Sequence, residues 1–325
     1  MCLEGKSMRT ANHQIPEGTI LRETYRILYP LEVKDLWTVY LAESVEEESE
    51  PQRAALKVTD AGSLRPEARR LASVPRGMSS SFPAFYREFQ EGPLSCIAME
   101  YIPGISLDED LFGYADVPGK GRLRKEEVVA IGVQLASAAV ALHTRRPSLI
   151  FCGFRPANIL LDERQPGLVR LPDLSVARPP TQAGREQSPA LAIRGQEGYM
   201  PPEYDGVVTP RTDIYGLGAT LWVLLTGEES WQERGILGNW SLSPLVRLLR
   251  AMVDENPKRR PATMTEVSER LSRMGGLPES KSAPKPGTTK STLIPARASS
   301  VQPKPTSTLP LSRARPVKRR SGTWK

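Results

Sequence analysis

The chain has 325 residues, 39% of them hydrophobic and 25% charged, which is ordinary for a soluble globular protein and enough for one two-lobed domain of about 250–300 residues, or two smaller ones. Its net charge of +7 sits unevenly: residues 277–325 carry 11 Lys/Arg against one acid, Glu279, a net of +10 that leaves about −3 for residues 1–276. The basic balance therefore belongs to the tail and gives the folded part no case for specific nucleic-acid binding.

The three cysteines, Cys2, Cys96 and Cys152, are odd in number and lack metal-ligand spacing. They point to a reducing compartment, here read as cytoplasmic, without a disulfide framework. The first ten residues have no apolar segment of the kind a signal peptide needs. Residues 1–18 read as a flexible leader.

From residue 21 short runs with β-branched and aromatic residues begin. TYRIL (24–28), WTVYLA (37–42) and AALKV (54–58) read as strands, with an acidic turn ending at Pro51. PEARRLASV (66–74) reads as a short helix with Pro66 in its first turn. PLSCIAMEYI (93–102) is a further strand, stopped by Pro103-Gly104. Together these make a small, mainly β lobe.

Beyond Leu107 the pattern turns helical. Val128, Ile131, Leu135, Ala138 and Leu142 recur at helical spacing. Gly132, Gln134 and Ser137 interrupt that stretch, so a buried helix is expected and not a membrane span. LIF (149–151), NILLD (158–162) and LVRL (168–171) read as short strands. DIYGLGATLWVLLT (213–226) is apolar nearly all round, as a central buried helix should be, and 245–253 and 264–274 read as two more helices. Residues 276–325, with eight prolines from residue 277 on and many Ser, Thr, Lys and Arg, read as a disordered basic tail able to contact anionic surfaces.

Phosphoryl transfer needs a lysine on the phosphates, an acid holding that lysine, metal ligands and a base, in a fixed chain order. AALK (54–57), AMEYIPGISL (98–107), FCGFRPANILLD (151–162), LPDLSVAR (171–178), GYMPPEY (198–204) and DIYGLG (213–218) occur in that order. The chain so resembles a eukaryotic-type serine/threonine protein kinase of the bacterial kind. The resemblance implies an α+β, two-lobed protein-kinase-like fold over residues 19–275, with an N-lobe of about 19–102 and a C-lobe of about 103–275. It implies Lys57 for the α/β-phosphates, Glu67 as its ion-pair partner, and Met99 as gatekeeper. Glu100 and Tyr101 would offer backbone groups to adenine, and Asn158 and Asp173 would hold Mg²⁺. Glu203 would pair with Arg260, and Asp213 would brace the catalytic-loop backbone. His143 is given a structural role.

The departures are as telling. Pro156, Asn158, Ile159, Leu160 and Leu161 fix the register of the catalytic loop, which places Phe151 for its His or Tyr, Cys152 for its Arg, Gly153 for its catalytic Asp and Arg155 for its Lys. A positioned base is worth about 10²–10⁴ in rate. The glycine-rich loop has Glu32, Lys34 and Trp37 at its glycine positions, where close backbone approach to phosphate is needed. Trp37 either obstructs that approach or packs under the loop as core. Control by an activation-loop phosphate is not expected without the loop Arg, and Cys152 reads as a buried thiol.

The expectation is a pseudokinase that binds a protein partner, with weak ATP and Mg²⁺ binding. The alternative is a slow serine/threonine kinase using Lys57, Asn158 and Asp173. A small-molecule phosphotransferase of related fold would inherit the same missing base.

Overall fold

The computed structural model describes residues 15–34, 36–45, 52–60, 64–74, 80–113, 118–181, 198–204, 207–228 and 243–276. Most of the leader, the acidic turn, residues 182–197 of the activation segment and the tail from 277 on lie outside them.

Strands β1 (Ile20–Leu21), β2 (Tyr25–Val33), β3 (Thr38–Ser44), β4 (Arg53–Thr59), β5 (Phe85–Glu91) and β6 (Leu94–Glu100) form one antiparallel sheet in the order β1-β2-β3-β4-β6-β5. Helix α1 (Arg65–Ala72) follows β4. Alternation decides which side chain meets which core. Ala54, Leu56 and Val58 of β4 join Tyr40, Cys96 and Ala98 in a core confined to this lobe. Ala55, on the other face, joins Ile97 and Met99 in the larger core that continues into the helices. Lys57 lies one register step on from Ala55, so the period of two delivers it to the same face.

The second lobe opens with β7 (Gly104–Ser106), α2 (Leu107–Phe112) and α3 (Lys125–Thr144). A 3₁₀ turn (Pro156–Asn158), β8 (Leu160–Asp162) and β9 (Val169–Arg170) come next, followed by α4 (Pro210–Thr226), α5 (Pro244–Met252) and α6 (Met264–Met274). β7, β8 and β9 make a small antiparallel sheet. Gly104 is required there, because a Cβ on it would lie 1.9 Å from the Leu161 carbonyl oxygen.

Helix α4 is the hub. Every residue from Thr212 to Leu225 is buried, and burying one Leu or Val side chain is worth about 1.5–3 kcal/mol. Helix α3 is long and apolar enough by composition to cross a membrane, but it packs on α4 and α6. Its apolar character thus serves the core.

Three expected strands need correction. LIF (149–151) forms only the isolated bridge Ile150↔Arg178, because the next amides turn toward Asp213. NILLD begins as a 3₁₀ turn and is extended only over Leu160–Asp162. The LVRL strand shrinks to Val169–Arg170. Strands β1, β5 and β7 had no counterpart in the sequence reading.

Candidate functional site

Between the lobes, Lys57 Nζ sits 2.9 Å from Glu67 Oε1 of α1 and 3.2 Å from Asp173 Oδ1. The Trp37 ring centroid lies 4.2 Å from the same nitrogen. Trp37 and Val39 share the Lys57 face by alternation along β3, and Val39 is the direct cross-strand partner of Lys57. Lys57 is 1% exposed.

The charges of this cluster oppose burial. Burial alone would lower the Lys57 pKa, but Asp173 and Glu67 outweigh it and the pKa is raised. Burial pushes Glu67 up to about 7 against the pull of Lys57, and Asp173 adds to the rise. At Asp173 burial again opposes ionisation, but Lys57 and the Ser175 amide, which donates to Oδ1 at 2.7 Å, bring it down to about 2.

Arg70, one turn beyond Glu67 on α1, donates to the carbonyls of Leu174 (3.1 Å) and Ser175 (3.0 Å). It fixes the segment that carries Asp173. The sequence reading missed this residue; its spacing of three from Glu67 was the available signal.

The catalytic-loop region hangs on Asp213 at the start of α4. Its carboxylate accepts the amides of Phe151 (2.8 Å) and Cys152 (2.7 Å), and lies 2.7 Å from His143 Nε2. Cys152 is thereby held at a φ of 57°. Its thiol is buried, and burial, reinforced by Asp213, pushes its pKa well up, which disfavours a thiolate nucleophile.

Gly153 faces a filled space. A Cβ on it would lie 2.9 Å from Phe151 Cζ and 3.1 Å from Val176 Cγ2. The Phe151 ring is itself held edge-on against Phe154, centroids 4.7 Å apart. Asn158 Nδ2 donates to the Gly153 carbonyl at 2.9 Å, and its Oδ1 accepts from Arg155 Nε at 3.3 Å.

At the connection between lobes, Met99 is buried in β6. The Glu100 amide donates to the Ala84 carbonyl at 2.8 Å, so that amide is spent on β5's approach. The Glu100 carboxylate takes Arg164 and Arg170, each at 2.8 Å, and both arginines also reach Asp162, at 2.9 and 3.0 Å. Burial works against ionisation of Glu100, but Arg164, the Ala84 amide and Arg170 outweigh it and lower its pKa. Tyr101 follows, partly buried. Arg164 and Arg170 carried no motif and were missed. On the far side, Arg260 holds Glu203 through two bonds of 2.6 and 2.7 Å.

With the geometry in place, the known relatives can be compared. The model for the protein kinase domain matches residues 80–273. This chain belongs to the protein kinase domain family. The match starts beyond the degenerate loop and Lys57. The serine/threonine-protein kinase PknB of Mycolicibacterium smegmatis is 30% identical over 143 residues, 43% of this chain and 21% of that protein. PknK of Mycobacterium bovis is 32% identical over 174 residues, 46% of this chain and 15% of that protein. The aligned part is thus about a fifth or less of these kinases' length. The crystal structure of the Mycobacterium tuberculosis PknI kinase domain covers 81% of this chain and 100% of its own, with a TM-score of 0.55 and 21% identity. That likeness establishes the two-lobed kinase fold.

Protein kinase domains use ATP and Mg²⁺, and the bonds already made decide whether these residues fit them. A lysine ammonium has three N–H donors; Glu67 and Asp173 accept from Lys57, and the Trp37 ring centroid lies 4.2 Å from the same nitrogen. A dication at Asn158 Oδ1 would face the Arg155 guanidinium. Glu32 and Lys34 neutralise each other at 2.6 Å and offer the phosphates neither net charge nor a glycine backbone. In this arrangement Lys57, Asn158 and Asp173, the residues that would hold the nucleotide and metal, are each bonded within the chain.

Proposed function

We propose that this chain is a pseudokinase, a kinase-fold signalling protein that acts by binding a protein partner and transfers no phosphate. The observation that carries the reading is a glycine at the base position, packed so that a Cβ on it would lie 2.9 Å from the Phe151 ring. No carboxylate stands at the base position, and any side chain there needs the Phe151 ring to shift. The two described cysteines, both buried free thiols, suit a reducing, cytoplasmic setting.

A slow serine/threonine kinase is the second reading, favoured by the Lys57–Glu67 pair at 2.9 Å. Incubation with labelled ATP, Mg²⁺ and a basic protein substrate separates the two. The pseudokinase reading expects no label above that of an Asp173→Ala variant on the substrate or on the chain itself. A pull-down from the source cell with the intact chain then identifies the partner.

A further inference from the structure

Three sets of bonds join the lobes using this chain's own side chains. Lys57 of β4 meets Asp173 at 3.2 Å. Arg70 of α1 grips the Leu174 and Ser175 carbonyls. Glu100, at the end of β6, is clamped by Arg164 and Arg170, which Asp162 of β8 holds in turn. Arg170 also donates to the Phe82 carbonyl at 3.2 Å and is 4% exposed. A closed arrangement built from a phosphate-binding lysine ordinarily leaves that lysine a donor to give. Here the Trp37 face covers it, the Lys34 amide closes the tight turn onto the Trp37 carbonyl at 2.9 Å, and Asn158 Oδ1 is taken by Arg155.

We propose that Trp37 is a built-in occupant of the phosphate position, with Arg155 weakening the metal position through Asn158, so that the two lobes close on each other without a nucleotide. Trp37 is then the residue that determines what the cleft rejects. Its ring satisfies Lys57 through a cation–π contact that is stronger because the ammonium is out of water. An incoming triphosphate must displace the ring and regains only one donor for it. Arg155 adds a fixed positive charge beside the oxygen that a dication would need. The folded chain consequently presents one closed surface to its partner, whatever the cellular nucleotide level. This inference builds on the pseudokinase reading and fails separately from it.

Thermal melting of the full chain with ATP and Mg²⁺ tests it. Saturating ligand raises a midpoint by mass action, so at about 5 mM Mg-ATP the wild-type midpoint should move by less than about 1 °C, while that of Trp37→Gly should rise by about 2–4 °C. Trp37→Phe retains a ring over Lys57 and should behave as wild type. A wild-type rise of about 2 °C or more overturns the inference with no variant needed. So does a cooperatively melting Trp37→Gly that ignores Mg-ATP; if the glycine variant fails to fold, Trp37→Ala takes its place under the same criterion. Transfer of labelled phosphate, measured in parallel, separates the failures. Wild-type binding without transfer defeats the inference alone, and binding with transfer defeats the pseudokinase reading as well.

Discussion

The Phe151 ring reaches to 2.9 Å from the point where Gly153 would carry a Cβ. A side chain at the base position therefore requires that ring to move. Gly153→Ala should destabilise the domain by about 1–3 kcal/mol, the usual cost of overpacking. In a Phe151→Leu background the same change should cost less, with a coupling of about 0.5 kcal/mol or more. Urea denaturation of the four proteins of this cycle measures it, and strict additivity would mean that the ring does not set the constraint.

Gly153→Asp alone should accordingly leave phosphotransfer at background. Its carboxylate must pass the Phe151 ring, and Lys57 remains covered by Trp37. Joining Gly153→Asp to Phe151→His and Trp37→Gly restores the base, removes the ring that crowds it and uncovers Lys57. A labelled-ATP assay on the single and triple variants should show signal only in the triple, since a positioned base contributes about 10²–10⁴ in rate.

Asp213 accepts two backbone amides and meets His143. Asp213→Asn replaces one accepting oxygen with a donor that faces another donor. Each buried polar group left unpaired costs about 1–3 kcal/mol, so the variant should lose about 2–4 kcal/mol in denaturant unfolding. A loss below about 0.5 kcal/mol would remove Asp213 as the brace of this loop.

Glu67 and Asp173 give opposite pH dependences. Glu67 titrates near 7 in the folded chain and near 4.3 when unfolded, so its folded form prefers the proton. Its contribution is fully present below the unfolded value and is lost as pH rises through 7. Asp173, brought down to about 2, contributes above its unfolded value near 3.9 and loses that contribution as pH falls through 2. The melting midpoint should therefore fall between pH 5 and pH 7.5, and Glu67→Gln should flatten that slope. An unchanged slope in Glu67→Gln would assign it to other groups.

Arg260 carries a fully buried guanidinium bound to Glu203 and to the Asp254 carbonyl at 2.8 Å, stacked 4.8 Å from the Tyr215 ring. Removing one partner of a buried pair costs about 3–5 kcal/mol. Glu203 is partly exposed, so solvent screening reduces this for Glu203→Ala to about 1–3 kcal/mol. Chemical denaturation checks the figure.

Much of this architecture was legible because it rests on periodicity. The alternation in AALKV put Lys57 on the inner face, and the all-round apolar character of 213–226 announced the central helix, whose start the structure sets at Pro210. The Asn158 motif fixed the loop register and so exposed Gly153. What stayed hidden depends on distances no pattern carries. Trp37 allowed two readings, and no pattern announced that its ring would lie 4.2 Å from the Lys57 ammonium. Arg70, Arg164 and Arg170 look like ordinary surface charge until the chain brings them to carbonyls and carboxylates far away in sequence. Strand β5 was missed because FYREFQE mixes aromatics with charge, and its pairing with β6 comes from the tertiary fold.

The central claim is that the chain transfers no phosphate, and direct measurement of transfer decides it. The purified full chain, incubated with labelled ATP, Mg²⁺ and a basic protein substrate, should incorporate no more label than its Asp173→Ala variant. Turnover that is present in the wild type and vanishes in Asp173→Ala would contradict the account.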